Sequence, residues 1–139
     1  ARMIYSYRKG AQRLIPLAIS TEQAEGEAPE VFEARKTKLE AVAADIRLRV
    51  KNAGRRAALR LSQLLAGDEP DRYERIVKEL IAGAPGLVLL QEGTSPLDAS
   101  RLEGDELVDA LDAVHLLEAA AVAAVVAQQP TFEQKNFLG

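Results

Sequence analysis

Residues 31–65 read VFEARKTKLEAVAADIRLRVKNAGRRAALRLSQLL, and this stretch decides the fold that the sequence predicts. Apolar or small side chains recur at steps of three or four residues, at Leu39, Ala43, Ile46, Val50, Ala53, Ala57, Leu61 and Leu64. Such spacing is close to a heptad repeat and is typical of one face of a helix. We therefore predict one long helix over residues 31–65.

The length of that helix is large for a single small domain. Thirty-five residues at 1.5 Å each span about 52 Å, whereas a 139-residue domain has a radius of gyration of roughly 14 Å. Either the helix projects and is covered by another chain, or it breaks. Asn52 and Gly54 are the candidate breakpoint, because glycine costs a helix interior about 1 kcal/mol relative to alanine. The apolar phase continues through Gly54, so we expect a continuous helix.

Residues 1–19 carry an alternating pattern instead. Aromatic and β-branched side chains alternate with others on both sides of a glycine, which predicts a β-hairpin. Pro16 confines its second strand to a sheet edge. The alternative is an extended arm that orders against a partner, and in either form Tyr5 and Tyr7 are candidate interface residues. Residues 20–30 are an acidic, solvated linker.

Further segments follow the long helix. Gly67 ends it, as glycine does just past a helix C-terminus. A second amphipathic pattern over residues 70–81 predicts a helix that stops at Gly83. Residues 87–90 form a buried strand or a short run of extended apolar chain, and residues 91–104 form a loop.

The last predicted helix runs from Asp105, which caps it, to about Gln128. Its second half, residues 119–127, is apolar on every side. A helix of that kind is expected to be buried on every side, within the domain or between copies. Val122 and Val125 are therefore candidate interface residues.

The C-terminal arm, residues 130–139, carries Phe132 and Phe137 on a segment without regular pattern. We predict that these large apolar anchors dock on a partner, or that the arm folds back on its own core. The fold class predicted for residues 1–139 is a single all-α domain. It has three or four helices in a core of residues 31–129, a small β-like or extended N-terminal element and an extended C-terminal arm.

Charge is divided unevenly between the two halves of the chain. Residues 1–65 carry thirteen Lys and Arg against seven Asp and Glu, a net charge of +6. Residues 66–139 carry five against fourteen, a net charge of −9. Halves of opposite sign are expected to pair with each other, with a neighbouring copy or with a charged partner.

A basic row is the sharpest feature of the positive half. Arg47, Lys51 and Arg55 lie four residues apart, on one face of the predicted helix. Such a row can neutralise phosphates, although this helix lacks the aromatic side chains on which single-stranded bases stack. We expect the basic face of residues 47–60 to meet acidic surface from residues 103–118, between halves or between chains.

No catalytic or cofactor motif stands out. The chain has no Cys, which excludes disulfides and thiolate metal sites, and it has neither a glycine-rich phosphate loop nor a nucleophile elbow. The single histidine, His115, shares a helix face with Asp112 and Glu118, but metal sites of this type draw ligands from several helices. We interpret His115 as a partly buried residue at a helix contact. We expect no enzyme activity, no cofactor and no catalytic or metal-binding residue.

Hydropathy predicts no membrane partner. The longest nearly uncharged apolar run, residues 119–127, has nine residues, whereas a helix needs about 20 to span a bilayer. The absence of Cys fits a cytosolic protein, so a cytoplasmic location is expected.

The order of elements is a β-like N-terminus, helices, an acidic last helix and an aromatic tail. It resembles the small helical assembly proteins of tailed phages, of the head–tail adaptor or tail-assembly chaperone type. This resemblance implies a structural role in the virion or its assembly. The residues point the same way, because a long apolar seam and two apolar-bearing arms need partner surface. We predict a non-enzymatic, homo-oligomeric interaction or assembly protein; a nucleic-acid-associated protein that uses the basic helix is the alternative.

Overall fold

The computed structural model describes residues 11–17, 23–93 and 95–128, except for the side chain of Val42. In chain order the elements are strand β1 (Gln12–Pro16), helix α1 (Pro29–Ala44), strand β2 (Arg47–Lys51), helices α2 (Arg55–Ala66) and α3 (Arg72–Leu80), strands β3 (Val88–Leu89) and β4 (Leu97–Asp98), and helices α4 (Gly104–Ala113) and α5 (Leu117–Val126). A 3-10 turn over Ala99–Arg101 follows β4.

The described residues are predominantly helical but do not form the predicted all-α fold. They contain five α-helices and two small antiparallel sheets, so the expectation of three or four helices without a sheet is wrong. The single long helix over residues 31–65 is wrong as well, because β2 lies between α1 and α2. Gly54, the candidate breakpoint, is the N-cap of α2 and has a φ of 84°, a left-handed conformation that favours glycine.

Strand β2 forms because its side chains alternate. Leu48 and Val50 are fully buried, whereas Arg47, Arg49 and Lys51 point to the opposite face. A helix would distribute these five side chains around its circumference and bring a basic residue into the core. A strand separates the two kinds of side chain completely.

One edge of β2 pairs with β1 in an antiparallel ladder. The register runs from Gln12 opposite Lys51 to Pro16 opposite Arg47. The backbone N–H of Leu17 donates to the carbonyl of Ile46 at 3.3 Å and extends the ladder by one position. The N-terminal strand predicted around Pro16 is therefore present as β1. Residues 1–10, which include the first strand of the predicted hairpin, lie outside the described residues.

The other edge of β2 binds the segment that follows α3. The backbone N–H of Arg47 donates to the carbonyl of Pro85 at 2.8 Å, and that of Arg49 donates to the carbonyl of Gly83 at 2.9 Å. Ala82 N–H returns a 2.8 Å bond to the carbonyl of Arg49. With both edges occupied, β2 is the central strand of the domain.

Helices α3 and α5 contact β2, and α2 and α4 pack against these two helices in turn. Helix α3 packs against both α4 and α5, and α5 also contacts α2 and β2. The largest fully buried side chains are Ile46, Leu48, Leu61, Ile76, Leu80, Ile81, Leu107, Leu111 and Leu116. Alanines 120, 121 and 124 are buried on α5 and let α3 approach it closely. No helix within the described ranges has the length and hydropathy that crossing a bilayer requires.

The predicted last helix is divided into α4 and α5. Helix α4 ends at Ala113, and His115 adopts a φ of 60° in the turn that follows. Leu116 N–H donates to the carbonyl of Leu111 at 2.9 Å, and His115 N–H donates to that of Asp112 at 3.0 Å. This pair of bonds is the Schellman motif, in which a left-handed residue ends a helix. His115 is exposed in this turn rather than partly buried at a helix contact.

Helix α1 is attached to the domain mainly at its C-terminal end. Of its described side chains only Ala43, near that end, is buried; the others are exposed or half-buried. Near its N-terminus, Arg35 forms a 2.9 Å ion pair with Glu27 and holds the pKa of that carboxyl below its ordinary value. The beginning of α1 is thus braced by the chain segment just before it.

Candidate functional site

A basic strip runs along the outer face of β2 and onto the start of α2. It is defined by Arg47, Arg49, Lys51, Arg55 and Arg56. Residues four apart share a face in a strand as they do in a helix, so Arg47 and Lys51 lie together although the predicted helix is wrong. The strand adds Arg49 between them, and Arg55 follows as the first residue of α2.

Arg49 is incompletely satisfied at the centre of the basic strip. Its Nε atom is buried and has no hydrogen-bond acceptor among the described residues. A buried donor without a partner costs about 1–3 kcal/mol.

The start of α2 contributes a shallow cavity of about 480 Å³ to the strip. Its lining residues are Ala53, Gly54, Arg55, Arg56, Ala57 and Arg60. Arg60 is ion-paired with Glu79 on α3, whereas Arg55 and Arg56 form no ion pair with a described residue. The first backbone N–H groups of a helix also lack intrahelical acceptors, so the cavity favours negative charge.

An acidic stripe occupies the exposed face of α4. It is defined by Glu103, Asp105, Glu106, Asp109 and Asp112, all of which are exposed. Leu107, Val108 and Leu111 on the opposite face are buried in the core. The amphipathic pattern of α4 therefore concentrates carboxylates on its solvent side.

The basic strip and the acidic stripe share a border. Lys51 Nζ, at the end of β2, lies 3.2 Å from Glu103 Oε1, so one ion pair joins the two charged regions. Within the acidic region, Lys78 on α3 lies 2.5 Å from Asp105, and this bond raises the pKa of the lysine. These residues are exposed or only half-buried, so each pair stabilises the fold weakly.

An apolar groove of about 370 Å³ lies between β1 and α5. The β1–α5 groove is lined by Arg13, Ile15, Pro16, Val122, Ala123, Val126 and Ala127. Val122 is 40% exposed and Val126 56% exposed, whereas Val125 is 3% exposed and belongs to the core. The expectation that this part of α5 is buried on every side is therefore wrong: Val122 lies on a surface and Val125 does not.

Gln128 connects α5 to the end of β2. Its side-chain Nε2 donates to the carbonyl of Lys51 at 2.9 Å, and its Oε1 accepts from the backbone N–H of Ala53 at 3.0 Å. Arg13 donates to the carbonyl of Ala127 one residue earlier. The C-terminal end of α5 is thus held by β1 on one side and by the exit of β2 on the other.

The remaining predicted interface residues, Tyr5, Tyr7, Phe132 and Phe137, lie outside the described residues. No group of three or more His, Asp or Glu side chains that could hold a metal ion occurs in the part of the chain that the structure describes. Arg49, Val126 and Arg13 were not among the interface residues predicted from the sequence. The strict alternation of residues 47–51 was the signal that would have brought Arg49 to the strip.

Comparison with known proteins gives no relative. No family model matches the sequence, and no curated protein or solved structure matches the chain.

Proposed function

We propose that this protein is a non-enzymatic interaction or assembly protein that works as a homo-oligomer. The observation that supports the proposal is α1, a helix of 16 residues of which only the C-terminal end packs in the core. Isolated helices shorter than about 12–15 residues are marginal in water, and longer helices in proteins depend chiefly on packing for stability. A second copy of the chain would supply the missing packing surface.

The type of complex follows from the sequence resemblance. On this proposal the chain acts like a head–tail adaptor or tail-assembly chaperone of a tailed phage, a structural component that joins larger parts. Its place of action would be the cytoplasm during assembly, or the virion afterwards. The β1–α5 groove and the charged surfaces offer further contact area for such a role.

The test is the mass of the protein in solution, measured by light scattering coupled to size exclusion over a range of concentrations. The wild-type chain is expected to form a species larger than the monomer at micromolar concentration. Val31→Glu on α1, where Val31 is 57% exposed, should weaken that assembly. A carboxylate in the first turn of a helix is favourable, so the variant should remain folded.

Leu90→Glu is the matched control, because Leu90 is 89% exposed and lies in the connection after β3. It should leave the mass unchanged. A wild-type chain that remains monomeric at every concentration would contradict the proposal.

A nucleic-acid-associated protein is the second candidate. The observation that favours it is the pair of arginines, Arg55 and Arg56, at the cavity that begins α2. Phosphate contacts release counterions and give a steep salt dependence. A gel-shift titration with duplex and single-stranded DNA should then show binding that weakens with salt and is lost in Arg55→Glu/Arg56→Glu. Binding that is absent at low salt would exclude this candidate.

A further inference from the structure

The basic strip and the acidic stripe are only partly matched within one chain. Among the ion pairs between described residues, Arg47, Arg49, Arg55 and Arg56 have no partner on the basic side. On the acidic side the same holds for Glu106, Asp109 and Asp112. Two neighbouring surfaces of opposite sign therefore face outward from one domain.

We propose that a second copy of this chain covers both surfaces in a two-fold dimer whose axis lies close to the Lys51–Glu103 pair. The inference rests on the proposed function, self-assembly, and names a surface beyond α1 that contributes to it. A two-fold axis brings residue i of one copy to residue j of the other, and residue j to residue i. Placed at a border between positive and negative surface, the axis sets the strip of each copy against the stripe of the other.

The proposed position of the axis is the border marked by the Lys51–Glu103 pair. Lys51 and Glu103 are 3.2 Å apart within one chain. Near a two-fold axis at this border, Lys51 of each copy also lies close to Glu103 of the other copy. The two ion pairs can then exchange partners without losing a contact. Farther from the axis the unpaired residues of each surface meet. The dimer thus forms both charged contacts in one docking step.

Arg49 is the central arginine of the basic strip, and it forms no ion pair with a described residue. Arginine binds carboxylates through two parallel N–H···O bonds, a geometry that lysine cannot offer. A carboxylate of α4 in the second copy has the chemistry to pair with this guanidinium.

Nucleic acid is the competing occupant of the basic strip. Its phosphates are attracted to the arginines but repelled by the carboxylates that begin at Glu103. A second copy presents the opposite charge to both surfaces at once. Because like charges in contact suppress wrong partners, the acidic border favours a second copy over a polyanion.

Two charge-reversed variants test the dimer, and all six substituted positions are exposed. The first carries Arg47→Glu, Arg55→Glu and Arg56→Glu, so both of its surfaces are negative. The second carries Glu106→Lys, Asp109→Lys and Asp112→Lys, so both are positive. Each variant alone repels its own copies, whereas a one-to-one mixture is complementary at both contacts. Circular dichroism checks that each variant is folded; if either is not, a variant with glutamine at the same three positions replaces it and should also associate more weakly than the wild type.

The dissociation constant of the dimer is measured by sedimentation at ~0.05 M and ~0.5 M salt, since the screening length falls from above 10 Å to a few Å over this range. At low salt each variant alone should associate at least tenfold more weakly than the wild type. The mixture should recover wild-type affinity or exceed it. High salt should weaken the wild type and the mixture alike.

Several outcomes would overturn the inference. If either variant associates like the wild type, or if the mixture is no tighter than its components, the charged surfaces do not form the dimer, although the proposed self-assembly stands. If the first variant keeps self-association but loses binding to a short DNA duplex, the strip serves nucleic acid. A wild-type chain that never associates refutes both this inference and the proposed function.

Discussion

His115 shows at the scale of one residue how the chain ends a helix without glycine. The residue has a φ of 60°, a backbone conformation that is disfavoured for most residues other than glycine. The two hydrogen bonds of the Schellman motif and the burial of Leu116 hold it there. The left-handed conformation costs an L-residue about 1–2 kcal/mol. This cost lowers the free energy of unfolding of the protein.

His115→Gly is therefore expected to stabilise the protein. Glycine adopts positive φ without strain but loses more backbone entropy on folding, so the net gain should be about 0.5–1 kcal/mol. Chemical denaturation monitored by circular dichroism measures it as a higher midpoint with an unchanged slope. His115→Val is the opposing control and should destabilise, because a β-branched side chain tolerates this region worst. Equal midpoints for all three proteins would show that the turn carries no strain.

Gly86 is required for a second reason, the lack of space for a side chain, because the backbone of Asp45 packs directly against it. It has a φ of 93°, and a Cβ at this position would overlap the carbonyl of Asp45 in the turn after α1. Gly26 has a similar φ of 79° with nothing within 4 Å.

Gly86→Ala should consequently destabilise the domain by about 2–4 kcal/mol, from overpacking and backbone strain together. Gly26→Ala should cost only the strain, about 1 kcal/mol. The difference between the two free energies of unfolding isolates the close approach. A Gly86→Ala variant no less stable than Gly26→Ala would mean that the Asp45 turn moves freely away.

At the scale of elements, α5 separates the two valines that the sequence treated alike. Val125 faces the core and Val122 faces the β1–α5 groove. Val125→Asp buries an unpaired charge and should cost about 3–5 kcal/mol, enough to unfold a marginal domain. Val122→Asp should change the melting temperature little, since its carboxylate reaches water.

Melting curves of the two variants provide the measurement. A large loss for Val125→Asp beside a small one for Val122→Asp is the expected result. If both variants melt together well below the wild type, the groove is closed in solution. If both match the wild type, α5 does not pack as described.

Burial was easier to predict than secondary structure. Ala43, Ile46, Val50 and Leu61 were selected as one helix face, and all four are buried. They lie on α1, in the turn before β2, on β2 and on α2 rather than on one helix. Steps of three or four residues mark a buried face without deciding which element carries it. Helix α3 was predicted correctly, since its stripe of Ile76, Val77 and Leu80 fits only the helical period and is buried.

Other boundaries could not be read from the sequence. The division between α4 and α5 has neither glycine nor proline to mark it, and the left-handed residue is a histidine. The pairing of β2 with residues 81–85 is a long-range contact without a local signal. The candidate surfaces could be predicted only in part. The sequence pointed to Arg47, Lys51 and Arg55 as one basic row, but it put them on a helix rather than on β2 and the start of α2, and it did not indicate the β1–α5 groove.

For the whole molecule, the basic first half and the acidic second half of the sequence are not fully separated in the fold. Arg60 bonds Glu79 and Lys51 bonds Glu103, so the two halves are joined where they touch. Outside the ion pairs between described residues remain the four arginines of the strip and Glu106, Asp109 and Asp112 of the stripe. An exposed pair contributes about 0–1 kcal/mol, so any effect of these surfaces on association depends on several pairs acting together.

The register of β1 and β2 has a topological consequence. Leu17 and Ile46 are bonded neighbours at one end of the ladder, so the chain leaves the sheet at residue 17 and returns at residue 46 to the same place. Everything between them, including α1, is an insertion into what is otherwise a β-hairpin. Insertions of this kind are tolerated, and can be removed, where their ends lie close together.

Excising residues 18–45 and joining Leu17 to Ile46 through Asn-Gly, the preferred two-residue hairpin turn, should therefore yield a smaller protein that still folds. Its thermal unfolding should remain cooperative, with some stability lost because Ala43 leaves the core. A chain that no longer folds would show that α1 holds the sheet together. A shortened chain that folds would show that the segment of residues 18–45, with α1, can be replaced. A different binding segment could then be inserted between residues 17 and 46 while the four remaining helices stay unchanged.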